Sequence, residues 1–483
     1  MSTYVACYTA AMASFLGKLL KRKEMSAGMP ICFDALHDQA RSAVASQDFE
    51  SAIQLYDQAI ALNPFHAEAY YKRGNVLKNL GRLHEAIESY DQAIKLKPDY
   101  AYAYCNRGVV QQTLGFIDRA LSSYDQAVAH DPTDAMTYYN RALLLQECSR
   151  WDEVLQSYDR AVAIDPTFAD AQFNRSLALL YCGDFERGWP SYEWRWINAQ
   201  RLGLGEPREF NRPLWRGEES IAGKRVLLHS EGGLGDTLQF CRYAPLIADR
   251  GATVYLEVQE ALADILANLD GVAQLIVKGN ALPEFDYHCP LLSLPLACKT
   301  TLETVPIRPN YLNCNGIDLP RTHSYAQIEG RPRVGLVWSG NPNNANDRRR
   351  SVRLADWIEY LPPQFEYFRL QREVRDEDKV ALEANPFIAS KDEDVQDFVR
   401  IAALCKSMDI VVSVDTSLAH LSGALGQRTW ILLPFVPDWR WLRDRDDSPW
   451  YPSVKLFRQT SPGDWRGVFE RIASDLRREF RVD

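Results

Sequence analysis

Metal-binding and disulfide-forming patterns are missing from this chain of 483 residues. Its ten cysteines are scattered from Cys7 to Cys405, with no Cys-x-x-Cys pair and no cluster with histidine. That distribution suits reduced thiols better than disulfides or a zinc site. Positive charge is also in deficit: 55 Lys and Arg against 64 Asp and Glu give a net charge of −9, which argues against a general nucleic-acid surface. The apolar stretch near the N-terminus falls well short of the roughly 20 residues that span a bilayer. The basic run Lys18 to Lys23 follows that stretch, the reverse of a secretory signal. The expectation is a disordered leader over 1–32, no integral membrane segment, no nucleic-acid partner and a cytoplasmic location. At this length, with 46% hydrophobic and 25% charged residues, two or three compact units are expected.

What the chain has is a repeated phrase: YDQAIALNP, YDQAIKLKP, YDQAVAHDP and YDRAVAIDP. Tyr56, Tyr90, Tyr124 and Tyr158 step by 34 residues each time, and Pro64, Pro98, Pro132 and Pro166 keep the same step. Within the unit Ala67 to Pro98, Gly74, Ala86 and Ala93 are small where two helices approach, and Pro98 ends the second helix. Tyr70, Leu77, Leu80 and Tyr90 are large where a groove must be filled. The set recurs as Gly108, Ala120 and Ala127 in the following unit. This pattern resembles the tetratricopeptide repeat. Four regular copies and a degenerate fifth are expected over 33–199. In the fifth, Arg195 replaces the small residue and no proline closes the unit. Trp189, Trp194 and Trp196 there predict a junction with the next domain. Such arrays imply a protein partner docked in the groove of the repeats.

A linker over 200–222 is expected to precede a change of periodicity. RVLLH, TVYLEV, QLIVKG and YHCP alternate with helical stretches and predict a parallel sheet with helices on both faces over 223–316. The pattern restarts over 331–483 with RVGLVWSG, DIVVSVD, TWILLP and VKLFRQ, ending in a helix near Trp465 to Phe480. The fold class expected is α + α/β: an α-solenoid followed by two Rossmann-like halves in the GT-B arrangement, with a cleft between them.

Three segments carry candidate chemistry. Gly232, Gly233, Gly235 and Asp236 form a glycine loop between a buried strand and a helix start. There the backbone can approach a ligand, and free N–H groups favour anions. The loop is not a Gly-x-Gly-x-x-Gly dinucleotide fingerprint. Asp236 reads either as a helix cap or as a carboxylate acting on an acceptor. Asp415, Thr416, Ser417 and His420 place hydroxyls, a carboxylate and an imidazole at a strand end and the following helix, a cradle suited to a diphosphate. Ser339, Gly340 and Asn341 follow another strand end and lead to a cationic loop containing Arg349 and Arg350. Such a loop could neutralise a departing nucleoside diphosphate or be simply solvated. The segment Leu432 to Pro452, where Trp439, Trp441 and Trp450 alternate with Arg and Asp, reads as a lid or base-stacking loop beside the donor, with a packing surface against the repeats as the alternative.

Together the three segments resemble family 9 glycosyltransferases, the group that includes the lipopolysaccharide heptosyltransferases. GLGD matches that family's glycine loop, and the resemblance implies that Asp236 is the general base. DTSLAHLSGALG matches its Asp-Thr-x-x-x-His donor segment, which implies donor binding by Asp415, Thr416 and His420. Two features depart from the family: the attached repeat array, and an arginine run where its middle donor loop has a lysine. The function expected is transfer of a sugar from a nucleotide-sugar donor to a protein or glycan acceptor, inverting, with no metal and no cofactor. O-linked N-acetylglucosamine transferases share the domain order but not these motifs. An interaction scaffold whose sheets bind a ligand without turnover, and a GT-B-fold epimerase, are the other readings.

Overall fold

The computed structural model describes residues 32–198, 208–312, 330–344, 346–389 and 395–482. The expected leader therefore lies, except for Cys32, outside the described residues. Two compact units divide the chain, one ending at Leu144 and the other beginning at Leu145.

The first unit is a run of paired helices: α1 (Phe33–Ala45), α2 (Phe49–Leu62), α3 (Ala67–Asn79), α4 (Leu83–Leu96), α5 (Ala101–Thr113), α6 (Ile117–His130) and the start of α7 (Ala135–Glu147). The second helix of each pair stops because a residue before proline is pushed out of the helical region. Asn63, Lys97 and Asp131 accordingly have ψ of 87°, 89° and 90°. Gly81 and Gly115 turn the chain between partners at φ of +74° and +77°, where a side chain would be strained. The small positions are set by the tyrosines. A Cβ on Gly74 would lie 2.6 Å from the Tyr90 ring, and one on Gly108 2.8 Å from Tyr124. Ala40, Ala52, Tyr56, Leu77, Ala86 and Tyr90 form a single buried cluster.

The polar half of the repeated phrase has its own role. The aspartate after each tyrosine accepts from an arginine 16 residues later: Asp57 from Arg73 at 2.7 Å, Asp91 from Arg107 at 2.6 Å, and Asp125 from Arg141 at 2.7 Å. Arg73 and Arg107 also donate to Ser89 and Ser123. Each arginine thus ties one repeat to the next.

The second unit opens with α8 (Trp151–Ile164), α9 (Ala169–Tyr181) and α10 (Phe185–Tyr192), where Asp159 accepts from Arg175 at 2.5 Å in the same pattern. Two all-parallel sheets follow. The first has the order β3-β2-β1-β4, from β1 (Arg225–His229), β2 (Thr253–Val258), β3 (Val272–Val277) and β4 (Tyr287–Pro290). The second has the order β10-β9-β8-β5-β6-β7, from β5 (Arg333–Val337), β6 (Glu366–Arg369), β7 (Ile388–Ala389), β8 (Ile410–Val414), β9 (Thr429–Leu433) and β10 (Val454–Arg458). Among the helices of this unit are α11 (Leu234–Phe240), α12 (Phe398–Lys406), α13 (Ser417–Ala424) and α14 (Trp465–Phe480).

Three expectations need correction. β6 and β7 extend the second sheet beyond the strands read from sequence, because β6 has only two aromatic residues between charged ones and β7 is only two residues long. One face of the first sheet is closed by Phe210, Leu282 and Phe285, which lie outside helices and pack on Leu227, Tyr255 and Ile276. The expected linker is part of the fold from Arg208 onward. Leu214 bridges to His288 in parallel, and buried Trp215 donates its backbone N–H to His288 at 2.8 Å. Among the described residues no helix is long and apolar enough to cross a membrane.

Gly74→Val should destabilise the first unit by about 1–3 kcal/mol, since the added methyl groups meet a fully buried tyrosine ring. Urea unfolding followed by helical circular dichroism checks this. An unchanged midpoint would show that the tyrosine yields freely.

Candidate functional site

Both sheets in the second unit deliver loops from the C-terminal ends of their strands, where open parallel sheets bind ligands. After β1 the chain buries Ser230 and Glu231, turns at Gly232 with φ +69°, and starts α11 from Gly233. Asp236 reaches back, its Oδ2 accepting the Gly233 N–H at 2.8 Å. The capping role is therefore present. The other oxygen, Oδ1, accepts from Arg440 Nη2 at 2.6 Å, so Asp236 is bound from both sides.

After β8, Asp415 leads into Thr416, which is extended at φ −145°, and α13 begins at Ser417. No side chain caps this helix, which leaves first-turn N–H groups for another acceptor. Burial, then the nearby Asp438, push the Asp415 carboxyl up, against the pull of Arg350 and Arg440. His420 is buried, shares a 2.9 Å hydrogen bond from Nδ1 with the Tyr451 hydroxyl, and stacks on Trp441 at 5.4 Å. Its Nε2 lies 4.0 Å from Asp415.

After β5, Gln371 holds the third loop. Its Oε1 accepts the Trp338 and Ser339 N–H groups at 3.0 and 2.9 Å, and its Nε2 donates to Ser339 Oγ at 2.6 Å. Arg350 donates to the Asp415 carbonyl at 2.8 Å and lies so close to Gly340 that a Cβ there would sit 2.7 Å from its Nη2. Asp347, held by Arg375 and Ser351, anchors the single turn that presents Arg350.

These three loops line one cavity of about 760 Å³. Asp236, Asp415, Thr416, Ser417 and His420 share it with Gly233, Gly235, Ser339, Gly340, Asn341 and Arg350. The contact is close: a Cβ on Gly235 would lie 2.9 Å from His420 Cδ2 and 3.6 Å from Ser417 Cα. Two residues singled out from sequence are not on its wall. Gly232 supplies the turn, and exposed Arg349 is on the part of the turn away from the lining.

Other lining residues come from two segments: the tryptophan-rich one, which the sequence placed beside the donor, and the terminal repeat, which it did not. Asp438, Trp439 and Arg440 reach the cavity from the tryptophan-rich segment, and Phe173, Leu177, Tyr192 and Arg195 reach it from the terminal repeat. The tryptophans of that segment are packed and not free to stack on a base. Trp439 meets Trp189 at 5.4 Å and Tyr192 at 5.9 Å, while Trp450 meets Phe185 at 6.0 Å. Trp439 and Trp450 thus pack against the terminal repeat, whose matching tryptophans were the sequence signal, while Trp441 packs on His420 and Tyr451. Arg195 is buried because it donates to Glu231 at 2.8 Å, to Ser293 at 2.7 Å and to Glu193 at 2.5 Å. Burial lifts the Glu231 carboxyl to about 7 despite the opposing pull of Arg195.

Comparison with known proteins supports the repeats. The "TPR repeat" family model matches residues 41–81 and 74–115, and the "Tetratricopeptide repeat" model matches 123–156. The N-terminal region of the chain is therefore built of tetratricopeptide repeats. A curated relative, Protein FlbA of Caulobacter vibrioides, is 26% identical over 318 residues, covering 60% of this chain. The chain spans about half of that relative's length, 52%. Solved structures that are similar include MamA (21% identity, 34% of this chain and 96% of that one, TM-score 0.31). Another is YrrB, described as a TPR protein with an unusual peptide-binding site (23% identity, 38% and 92%, TM-score 0.30).

His420 is kept neutral, well below the usual 6.5, first by burial and then by repulsion from Arg440, Arg242 and Arg350. Its unfolded form takes up a proton that the folded form refuses, so stability falls as pH drops below 6.5. His420→Gln should flatten the decline in Tm on acidification below that value, as measured by calorimetry across a pH series. A slope equal to that of the unmutated chain would contradict a neutral buried imidazole.

Proposed function

We propose that this chain is a glycosyltransferase of the GT-B type, using a nucleotide-sugar donor and a protein acceptor recruited by its repeats. The observation that carries the reading is the shared cavity. A carboxylate on one sheet's loop and an uncapped, hydroxyl-bearing helix start on the other line the same space. The donor diphosphate would sit against the first turn of α13 with Thr416, Ser417 and the Ser339–Asn341 loop. Helix N–H dipoles and Arg350 there oppose its charge.

Asp236 takes the proton of the acceptor hydroxyl. The acceptor oxygen forms a bond to the anomeric carbon, and the bond from that carbon to the diphosphate oxygen breaks. Its electron pair leaves on the nucleoside diphosphate, and the anomeric centre inverts. General-base help of this kind contributes about 10²–10⁴ in rate. The repeat-side wall of the cavity supports a polypeptide acceptor: Phe173 and Leu177 are apolar, and Arg195 is already neutralised by Glu231 and Glu193. Among the described residues, an anionic glycan would find no free cation on that wall.

A second reading is a ligand-binding scaffold without turnover, and the engagement of both Asp236 oxygens favours it. Calorimetric titration with UDP, GDP, ADP and CDP, followed by turnover assays on matching nucleotide sugars, separates the two. The transferase reading expects one diphosphate to bind, its sugar nucleotide to be consumed, and Asp236→Ala to slow consumption by about 10²–10⁴ while binding persists. Binding without turnover, unchanged by Asp236→Ala, would establish the scaffold.

A further inference from the structure

We propose that Arg440 is a positioning residue that orients Asp236 for proton abstraction, an inference that rests on the transferase reading above. Arg440 belongs to the second sheet's loops and Asp236 to the first's, 204 residues apart in sequence. Three nitrogens of the guanidinium group are committed to three partners. Nη2 donates to Asp236 at 2.6 Å, Nη1 to Asp438 at 2.8 Å and Nε to Gln239 at 2.8 Å. The guanidinium also lies over the Trp439 ring, 4.4 Å from its centroid. Burial works against the charge of Arg440, but Asp438 and then Asp236 outweigh it and hold the group protonated.

The anchoring has a direction. Asp438, Gln239 and Trp439 fix the guanidinium without help from Asp236, so the arginine is the rigid member and the carboxylate the member being held. Gly233 holds the other oxygen of that carboxylate. Each oxygen keeps a second lone pair, and the side chain remains 24% exposed at the cavity. The carboxylate can therefore still receive a proton, but from a defined direction. The base is oriented only when both halves are present, because neither half alone holds both of its oxygens.

Gripping the donor diphosphate is the competing role for Arg440. Arg350 is better placed for that work, since its buried Nε makes no hydrogen bond among the described residues, its pairing with Asp347 is long at 3.9 Å, and it lies beside Gly340 and Asp415. A fork already shared among two carboxylates and an amide has less to offer a phosphate.

The test uses the full chain and the nucleotide sugar selected by the titration above, with release of nucleoside diphosphate as readout. Arg440→Ala should lower kcat by about 10²-fold, the effect of a misplaced reacting group, with donor KM within about threefold. Arg440→Lys, which keeps charge but loses the fork, should recover part of kcat. Millimolar guanidinium should raise kcat of Arg440→Ala and leave Asp236→Ala unmoved. A loss confined to KM, a kcat near the unmutated value, or rescue of Asp236→Ala as well would overturn the proposal. Should the unmutated chain consume no nucleotide sugar, the transferase reading fails by itself. The hold on Asp236 is then judged by Tm shifts of Arg440→Gln, Asp236→Asn and the double variant. Losses in the double variant smaller than the sum of the singles support it, and additive losses overturn it.

Discussion

Two helix starts meet in the second unit, and the rest of the site follows from how that meeting is made possible. α11 can approach α13 only because residue 235 has no side chain to strike His420. At that distance the charged groups around the contact lose water and must find partners within the protein. Arg440 does so with Asp236, Asp438 and Gln239. Arg242, fully buried, does so with the Trp450 carbonyl, the Tyr311 hydroxyl and the Gln239 carbonyl. The bonds from Arg440 to Asp236 and Gln239, and from Arg242 to the Trp450 carbonyl, cross from one half to the other, so the cavity and its lining are set by the same contacts that join the halves.

The terminal repeat extends this logic. In the regular repeats an arginine ties each aspartate of the repeated phrase to the next helix pair, a mild and exposed interaction that sets register. In the last one the scheme changes partners. Arg195 stands where a small residue would allow another helix to pack, and it is buried against Glu231, the residue just before the glycine loop. Trp189 donates to the Thr300 carbonyl at 3.0 Å. A position that would have continued the array instead supplies a wall of the cavity.

The repeats were legible because their period is long, fixed and reinforced by several residue types at once. Gly74 and Tyr90 could be paired from sequence as small and large, although only the coordinates show that one faces the other. The glycine loop and the Asp415–His420 segment were legible as strand ends followed by helix starts. β6 was not, because Glu366 and Arg369 bracket only two aromatic residues and give no apolar run. Arg440 could be seen within a segment rich in tryptophan and arginine. Its partner could not, since nothing local links residue 440 to residue 236. Arg349 and Arg350 looked alike for the same reason, and only the anchoring of Asp347 distinguishes the second.

The central claim is that the carboxylate of Asp236 and the first turn of α13 serve one ligand. A crystal structure of the chain bound to the nucleoside diphosphate it prefers tests this most directly. The account predicts diphosphate oxygens against the Ser417 and Leu418 N–H groups, with the terminal phosphate directed toward Asp236. A diphosphate seated elsewhere, or one on α13 with its terminal phosphate turned away from Asp236, would contradict it.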